Sequence, residues 1–370
     1  MTRKNDESLE LDLWDAEAME NGPAKCAVLE EIVRRADARN MIDLAFPARL
    51  ALIEAATFSG APDKALVAFS WCLSQADKHP DQFPESELFW KFKWIVNSLG
   101  DFPQISRKQI EDMLDEMARR YERAGISMRP VWMARWKLAI KMGEKALAKS
   151  SYKAFRDMPR DWMSDCPACE MDEKVNYANF LGLDELAVQT AEPIIGGRLS
   201  CAEVPHLTYG RLLMPLYRLG RLDEARQMHR NGYRLVSRTP AMLDILAEHL
   251  LFLAITDNLP KATKLFEKHL IWALEATDLG DRFLFCLSAK FLMERLQKAE
   301  TPSLKLRLPT AFPLHHEKGL YEVGDLLAWL TTDANDRAAQ FDRRNGNAYH
   351  AGRVADAAKW HELVKALPIK

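Results

Sequence analysis

Apolar residues recur at helical spacing along almost the whole chain, and no convincing stretch alternates apolar and polar residues with a period of two. This pattern is typical of amphipathic helices that bury one stripe of side chains. The sequence therefore predicts an all-α protein. Breaks between the apolar stretches recur regularly, and their spacing carries more information than any single motif.

Many breaks carry a glycine with an alanine five residues later. The pairs are Gly60 with Ala65, Gly143 with Ala148, Gly182 with Ala187, Gly220 with Ala225, and Gly352 with Ala357, and the degenerate versions are Gly22 with Ala27, Gly100 with Ile105, and Asp257 with Ala262. Glycine can adopt the left-handed conformation that ends a helix, and alanine lets the next helix approach closely. The breaks at 60, 100, 143, 182, 220 and 257 are 37 to 43 residues apart, which predicts repeated helical hairpins.

One unit is readable in the stretch LTYGRLLMPLYRLGRLDEARQMHRNGYRL. Its first helix places Tyr209, Leu213 and Leu216 on one stripe, and Gly220 ends that helix. The negative charges of LGRLDEA suit the first turn of the second helix. The unit therefore predicts an αα-hairpin.

LGRLDEA and the units around it resemble the tetratricopeptide repeat, a family of helix-turn-helix units with a Gly-Ala break. The resemblance covers about residues 40 to 295 and returns at Gly352. Several units are longer than the family's roughly 34 residues, and Arg49 and Met171 replace the aromatic residue, so uneven stacking is expected. The resemblance implies a right-handed α-solenoid whose concave face, built from first helices, binds an extended peptide or a partner helix.

The pattern divides the chain into four parts. We predict N-terminal capping helices over 1–40, a tetratricopeptide-like array over 41–299, a proline-broken connecting segment over 300–319, and C-terminal capping helices over 320–370. The capping helices would give the array polar ends. The connecting segment is long for a repeat connection, so we expect it to pack along the array or to occupy its groove.

The concave face of such an array has predictable residues, because side chains about a quarter turn from the core stripe point into the groove. We predict an aromatic end and a cationic, amide-rich centre. Lys and Asn would hold a carboxylate, as in tetratricopeptide modules that capture a peptide C-terminus, and Trp would hold an apolar anchor. The alternative is that the tryptophans pack between repeats and the lysines are solvated. The selected residues are Glu54, Trp90, Trp94, Asn97, Lys137, Lys141, Asn176, Asn179, Tyr217 and Arg218.

A C-x-x-C pair, Cys166 and Cys169, lies in the stretch DWMSDCPACEMDEKVNYANFLGLDELA. Shifting this pair by the 38 residues that separate two glycine breaks places it opposite VPHL, which contains His206 and follows Cys201. Three thiols and one imidazole form a known structural zinc set, which leaves no open position for catalysis. The alternatives are buried or incidental cysteines and a redox pair.

Composition and charge narrow the function classes. The chain has 370 residues, 48% of them hydrophobic, and a formal net charge of −2, so no general attraction to nucleic acid or to an anionic membrane is expected. The N-terminus lacks the apolar core of a signal peptide, and no run of about 18 apolar residues is free of charge. We therefore expect a cytoplasmic protein without a disulfide framework, and a monomer or weak dimer because both ends are capped.

Catalytic motifs are missing from the sequence: it has no Gly-rich phosphate loop, no H-E-x-x-H and no nucleophile elbow. We therefore favour a protein or peptide interaction scaffold over an enzyme. Two alternatives remain open. One is a regulatory receptor for a short peptide or small ligand. The other is a zinc- or thiol-dependent enzyme that uses Cys166, Cys169 and Cys201, which requires a Cys166 pKa well below that of a free thiol.

Overall fold

The computed structural model describes residues 2–369, with side chains from residue 8 onward. Residues 1 and 370, the outer ends of the two predicted capping regions, lie outside the described residues. The described chain is almost entirely helical, as predicted, and none of its helices is both long and apolar enough to cross a membrane. The helices are α1 (Thr2–Glu17), α2 (Pro23–Ala38), α3 (Ile42–Thr57), α4 (Pro62–Lys78), α5 (Ser86–Ser98), α6 (Arg107–Arg123), α7 (Arg129–Lys141), α8 (Lys145–Asp157), α9 (Pro167–Leu181), α10 (Asp184–Ile195), α11 (His206–Arg211), α12 (Leu213–Arg218), α13 (Leu222–Val236), α14 (Leu243–Ile255), α15 (Leu259–Glu275), α16 (Leu279–Lys298), α17 (Val323–Asn345) and α18 (Tyr349–Asp356), with short 3₁₀ turns at Leu99–Asp101, Pro240–Met242 and Ala357–Leu363.

Two short strands interrupt the helical pattern, β1 (Ser303–Lys305) and β2 (Leu320–Glu322), which pair in antiparallel fashion. The sequence did not predict them, because three residues are too few to show a period of two. Between the strands, Leu306 and Phe312 are buried in the largest apolar core. The connecting segment therefore packs against the helices around it.

Left-handed turns end several helices where the glycine spacing predicted breaks. Gly60, Gly143, Gly182 and Gly220 have φ between 73° and 76°. Asp257 replaces glycine at the next break with φ 61°. The other three marks are not left-handed turns: Gly100 lies in a 3₁₀ turn, Gly352 lies inside α18, and Gly22 is extended with φ 171°.

Each break separates two helices that pack against each other, as in α3 with α4, α7 with α8, α9 with α10 and α14 with α15. First helices of neighbouring hairpins also pack together, most extensively α14 with α16. Trp136 of α7 is fully buried and contacts Tyr152 and Phe155 of α8 and Tyr177 of α9. The described chain is thus an all-helical, repeat-like stack of hairpins.

Ion pairs between hairpins repeat at a similar sequence separation. The separation runs from 34 to 43 residues, close to the spacing of the breaks. Examples are Lys64 with Glu30, Asp77 with Arg120, Asp101 with Lys141, Glu170 with Arg129, Asp172 with Arg211, and Asp184 with Arg218. Equivalent positions of successive hairpins therefore face one another.

The C-terminal part of the chain returns to the first half of the stack. The Arg344 guanidinium, at the end of α17, donates hydrogen bonds to the carbonyls of Leu99, Gly100, Phe102 and Ile105 at 2.7 to 3.4 Å. The Asn347 amide donates to the carbonyl of Met142 at 2.8 Å. These contacts close the chain on itself and bring α16 to the turn at Leu99–Asp101.

Candidate metal centre and inner polar face

The three candidate thiols lie where α9 begins and in the loop that follows α10. Cys166 caps the N-terminus of α9, and its Sγ accepts the backbone N–H of Cys169 at 3.3 Å. Pro167 suits the first position of this helix, because it has no N–H to satisfy there. Cys201 lies in a turn in which its own N–H donates to the carbonyl of Val204 at 2.9 Å.

These three sulfur atoms lie within 4.8 Å of one another. Cys166 and Cys169 are half-buried beside an apolar cluster that contains Ile194 and Val204, whereas Cys201 is exposed. Thiolates are strong ligands for zinc and other soft ions. The three cysteines could therefore hold a metal ion.

The surroundings of the thiols change their acidity in opposite directions. Burial raises the pKa of Cys166, but the N–H groups of Cys169 and Ala168 and the thiols of Cys169 and Cys201 outweigh it, so the net pKa is lowered. Burial and the neighbouring thiols raise the pKa of Cys169. Of these two thiols, Cys166 is therefore the one that ionises more readily, as both a metal ligand and a nucleophile require.

His206 lies outside this group, although the repeat register predicted it as the fourth ligand. Its ring nitrogens are not among the atoms that lie within 4.8 Å of one another. Its Nδ1 is buried without a hydrogen-bond partner, and burial lowers its pKa. His206 is the first residue of α11, so the position of that helix fixes its ring. Cys201 lies in the preceding loop, which brings its thiol to the start of α9. The predicted set of four ligands becomes a set of three.

A second candidate site is formed by polar side chains on the inside of the closed stack. We call it the inner polar face. It draws on α7, α9, α11, α14, α16, α18, the loop before α11 and the turn at Leu99–Asp101, and electrostatic interactions connect its members. The residues are Asp101, Lys137, Lys141, Asp172, Glu173, Asn176, Glu203, Arg211, Asp244, Glu248, Asp278, Asp281 and Arg353.

Among the residues named above, carboxylates outnumber cations eight to four, and Arg218, which is paired with Asp184, also interacts with Glu248. Lys141 forms an ion pair with Asp101, and Arg211 forms one with Asp172, which also accepts the Thr208 hydroxyl at 2.6 Å. Among the described residues, five carboxylates of the face have no ion pair within 4.0 Å. These five are Glu203, Asp244, Glu248, Asp278 and Asp281, all half-buried.

Each of these five carboxyl groups has a raised pKa. Burial is the largest cause in every one, because it penalises the charged form. Asp101 and Asp244 also raise the pKa of both Asp278 and Asp281, and the Asp278 carboxylate raises the pKa of Asp281 further. Burial alone would lower the pKa of Lys141, but the negative charges of Asp101 and Asp278 outweigh burial, so the pKa is raised. The face therefore gathers carboxyl groups whose charged form is disfavoured by burial and whose neighbouring cations lie beyond ion-pair distance.

Three residues predicted for the groove lie on this face. Lys137 interacts with Glu173 and Glu203, and Asn176 donates a hydrogen bond to Glu173 at 2.8 Å. Lys141 donates to the carbonyl of Asn97 at 3.1 Å in addition to its ion pair. The prediction of a cationic centre did not consider the acidic residues that the fold brings to these lysines.

The predicted aromatic end of the groove is divided between surface and core. Trp90 is 38% exposed, and the Lys93 ammonium lies 3.5 Å from its ring centre. Trp94 packs edge-on against Phe58, which agrees with the alternative that the tryptophans pack between repeats. Glu54, also selected for the groove, is exposed on α3.

The remaining predicted groove residues make local contacts. Asn97 and Asn179 each have a buried side-chain oxygen without a hydrogen-bond partner, and the Asn179 amide donates to the carbonyl of Arg211 at 2.8 Å. Tyr217 is only 7% exposed, because the C-terminal segment covers it and the carbonyl of Leu363 accepts its hydroxyl at 2.7 Å. Arg218 makes a two-pronged ion pair with Asp184.

Sequence reasoning missed the acidic residues of the inner polar face. One signal was present: Asp101 and Lys141 are 40 residues apart, and Asp172 and Arg211 are 39 apart, which is one repeat period. Opposite charges at that spacing indicate positions that face each other. No signal pointed to Asp278, because its approach to Asp101 depends on closure of the whole stack.

Comparison with known proteins adds no relative to these observations. No family model matches the chain, and no curated protein matches it.

Proposed function

We propose that this chain is a tetratricopeptide-like scaffold that binds an extended, positively charged peptide on its inner polar face. In this proposal the hairpins form a right-handed α-solenoid, and the inner polar face is its concave surface. The protein acts by binding and not by catalysis. The observation that carries the proposal is the set of five half-buried carboxyl groups that form no ion pair among the described residues, Asp244 and Asp278 among them.

Three features support a solenoid. Left-handed residues end first helices at the predicted spacing, as at Gly143, Gly182 and Gly220. First helices pack on first helices of neighbouring hairpins. Ion pairs between hairpins have separations close to one repeat. A stack of similar units in which each contacts its neighbours is what defines a solenoid.

An extended ligand suits the face better than a single metal ion. A metal ion held by carboxylates needs several oxygens converging at about 2.0 to 2.6 Å. Among the described residues, the only group of three or more possible ligands within 4.8 Å is the three cysteines. Glu203, Asp244 and Asp278 lie on different elements, so they would meet successive cationic groups along an extended chain.

The raised pKa values indicate where the binding free energy comes from. In the free protein, ionising Asp244 or Asp278 is costly because each carboxylate is half-buried near other carboxylates. Lysine side chains of a ligand would supply counter-charges and charge-assisted hydrogen bonds. Binding would then lower these pKa values and release protons. Affinity should therefore rise as pH rises through the raised pKa values.

Titration calorimetry with an oligolysine peptide tests this proposal. We expect one saturable site, with proton release that appears as a dependence of the heat on buffer ionisation enthalpy. The variant Asp244→Asn/Asp278→Asn should weaken binding roughly tenfold, the loss expected for charge-assisted contacts. The matched control, Asp81→Asn/Asp336→Asn, removes the same charge from exposed positions and should bind as the wild type does.

Equal weakening in both variants, or no binding at all, would contradict the proposal. Spermine distinguishes the scaffold from a receptor for small ligands, since it carries several positive charges in a short molecule. If spermine binds as tightly as oligolysine, the receptor alternative is favoured.

We also propose that Cys166, Cys169 and Cys201 hold one zinc ion. Zinc–sulfur bonds of about 2.3 Å in a tetrahedron place sulfur atoms about 3.8 Å apart. The three sulfurs already lie within 4.8 Å of one another, so small side-chain shifts suffice. The ion would tie the start of α9 to the loop before α11.

Elemental mass spectrometry on protein purified without chelator tests the zinc proposal. We expect about one zinc per chain in the wild type and none in Cys166→Ser/Cys169→Ser. Absence of zinc from the wild-type protein would return these cysteines to a packing role.

A further inference from the structure

The three thiols do not complete a tetrahedral coordination sphere. Within the described residues, no histidine, aspartate or glutamate joins Cys166, Cys169 and Cys201 within 4.8 Å. His206 is the nearest histidine in sequence, but its nitrogens lie outside the group, and its Nδ1 is buried without a partner. A zinc ion held by four protein ligands is closed, whereas one held by three keeps a position for an external ligand.

The exposure of the thiols indicates which side of the metal is open. Cys166 and Cys169 are half-buried and pack beside the apolar cluster of Ala168, Ile194 and Val204. Cys201 is exposed. The protein therefore covers one side of the thiol group, and the side near Cys201 faces solvent.

We infer that the metal site is open and takes a neutral nitrogen donor, the imidazole of a histidine on an incoming partner, at its fourth position. This inference rests on the zinc assignment proposed above. Imidazole and thiolate are both good zinc ligands, so charge decides between them. Zinc with three thiolates carries a net charge of −1. A neutral imidazole keeps that charge, whereas a fourth thiolate raises it to −2 beside an apolar cluster.

Cobalt substitution with imidazole as the probe tests the inference, because cobalt absorption reports the ligands directly. The zinc is replaced by Co²⁺ in the full-length protein, and imidazole is titrated while the visible bands are recorded. We expect a saturable shift of these bands at one imidazole per metal. The variant His206→Ala should give the same starting spectrum and the same midpoint, since His206 is not a ligand.

Two results would overturn the inference. If wild-type protein gives no shift with imidazole while His206→Ala does, His206 closes the site. If 2-mercaptoethanol binds the cobalt protein more tightly than imidazole at the same pH, the open position prefers a thiolate. Circular dichroism of His206→Ala confirms that the variant is folded.

The zinc assignment itself fails in a different way. In that case elemental analysis finds no metal in chelator-free wild-type protein, and added Co²⁺ gives no sulfur-to-cobalt charge-transfer band. A bound metal whose bands do not respond to imidazole contradicts only the open position.

Discussion

Three thiols at the α9–α11 junction lie within 4.8 Å of one another, whereas the carboxylates of the inner polar face are spread over several helices. The first group comes from two short stretches of chain, around Cys166 and around Cys201. The second needs residues as distant in sequence as Asp101 and Asp278, which approach only because the stack closes. Both sites bring ionisable groups together, most of them half-buried.

The difference in arrangement predicts a difference in ligand. Convergent soft donors can share one ion through short coordination bonds, which added salt does not screen. Dispersed carboxylates cannot share one ion and would attract several cations along a chain, and salt weakens that attraction. The two sites should therefore respond to different variants and different solution conditions.

Loss of metal from Cys201→Ser is the largest effect expected. Cys201 is exposed, so the substitution removes a ligand without disturbing the core. With only two thiolates left, bound zinc should fall from about one per chain to a small fraction, as measured by elemental mass spectrometry. Cys26→Ser is the control. Cys26 is buried far from α9 in sequence, beside Ser59, and its variant should keep the metal.

Loss of the contacts that join the C-terminal part of the chain to the turn at Leu99–Asp101 should separate the residues of the inner polar face. It should leave the thiol site intact. Arg344→Ala removes a guanidinium that satisfies four backbone carbonyls near Leu99. We expect a loss of about 3 kcal/mol in the free energy of unfolding, measured in urea, because buried carbonyls lose their partner. Zinc content should not change.

Arg343→Ala provides the matched control for this change, since Arg343 is its exposed neighbour. Its free energy of unfolding should stay within about 0.5 kcal/mol of wild type. Equal destabilisation by both variants would contradict a closing role for Arg344.

A buried histidine pair should make stability depend on pH in the opposite direction to the carboxylates of the inner polar face. His229 Nδ1 lies 3.0 Å from His249 Nδ1, and burial lowers the pKa of His229 from 6.5 to about 4. The unfolded chain binds the proton more readily, so stability should fall by about 3 kcal/mol as pH drops from 6.5 to 4. Urea unfolding across this range should show the slope in wild type. His229→Gln should reduce it, while the exposed control His316→Gln should leave it unchanged.

The carboxylates of the inner polar face should contribute a smaller change of the free energy of unfolding with pH, opposite in sign to that of the histidine pair. Their pKa values are raised, so the folded state holds protons more tightly, and stability falls as pH rises from about 4 through those values. At pH 7 the variant Asp244→Asn/Asp278→Asn should be more stable than wild type by about 1 kcal/mol. A decrease in stability would mean that these carboxylates are already compensated.

Much of the helical architecture was predictable because its signals are local. Apolar periodicity predicted the helices, and glycine spacing located the turns at Gly60, Gly143, Gly182 and Gly220. The strands β1 and β2 were missed because each has three residues. Gly100 was misread because a 3₁₀ turn ends α5 there without a left-handed residue.

The candidate sites were less predictable than the helices. The farther apart in sequence the residues of a site lie, the less the sequence shows that they meet. The repeat register brought Cys201 to Cys166 and Cys169, but it could not resolve the turn that leaves His206 on α11. Lys137 and Lys141 both lie on the inner polar face, but the carboxylates around them come from parts of the chain that meet only when it closes. Tyr217 was misassigned because the C-terminal segment covers it.

Native mass spectrometry of the protein with oligolysine tests most directly the claim that the two sites are separate and select different ligands. We expect one zinc and one peptide per wild-type chain. Cys166→Ser/Cys169→Ser should lose the zinc and keep the peptide, and Asp244→Asn/Asp278→Asn should keep the zinc and lose most of the peptide. If either variant loses both ligands while remaining folded, or neither variant loses one, the two sites do not have the separate roles proposed for them.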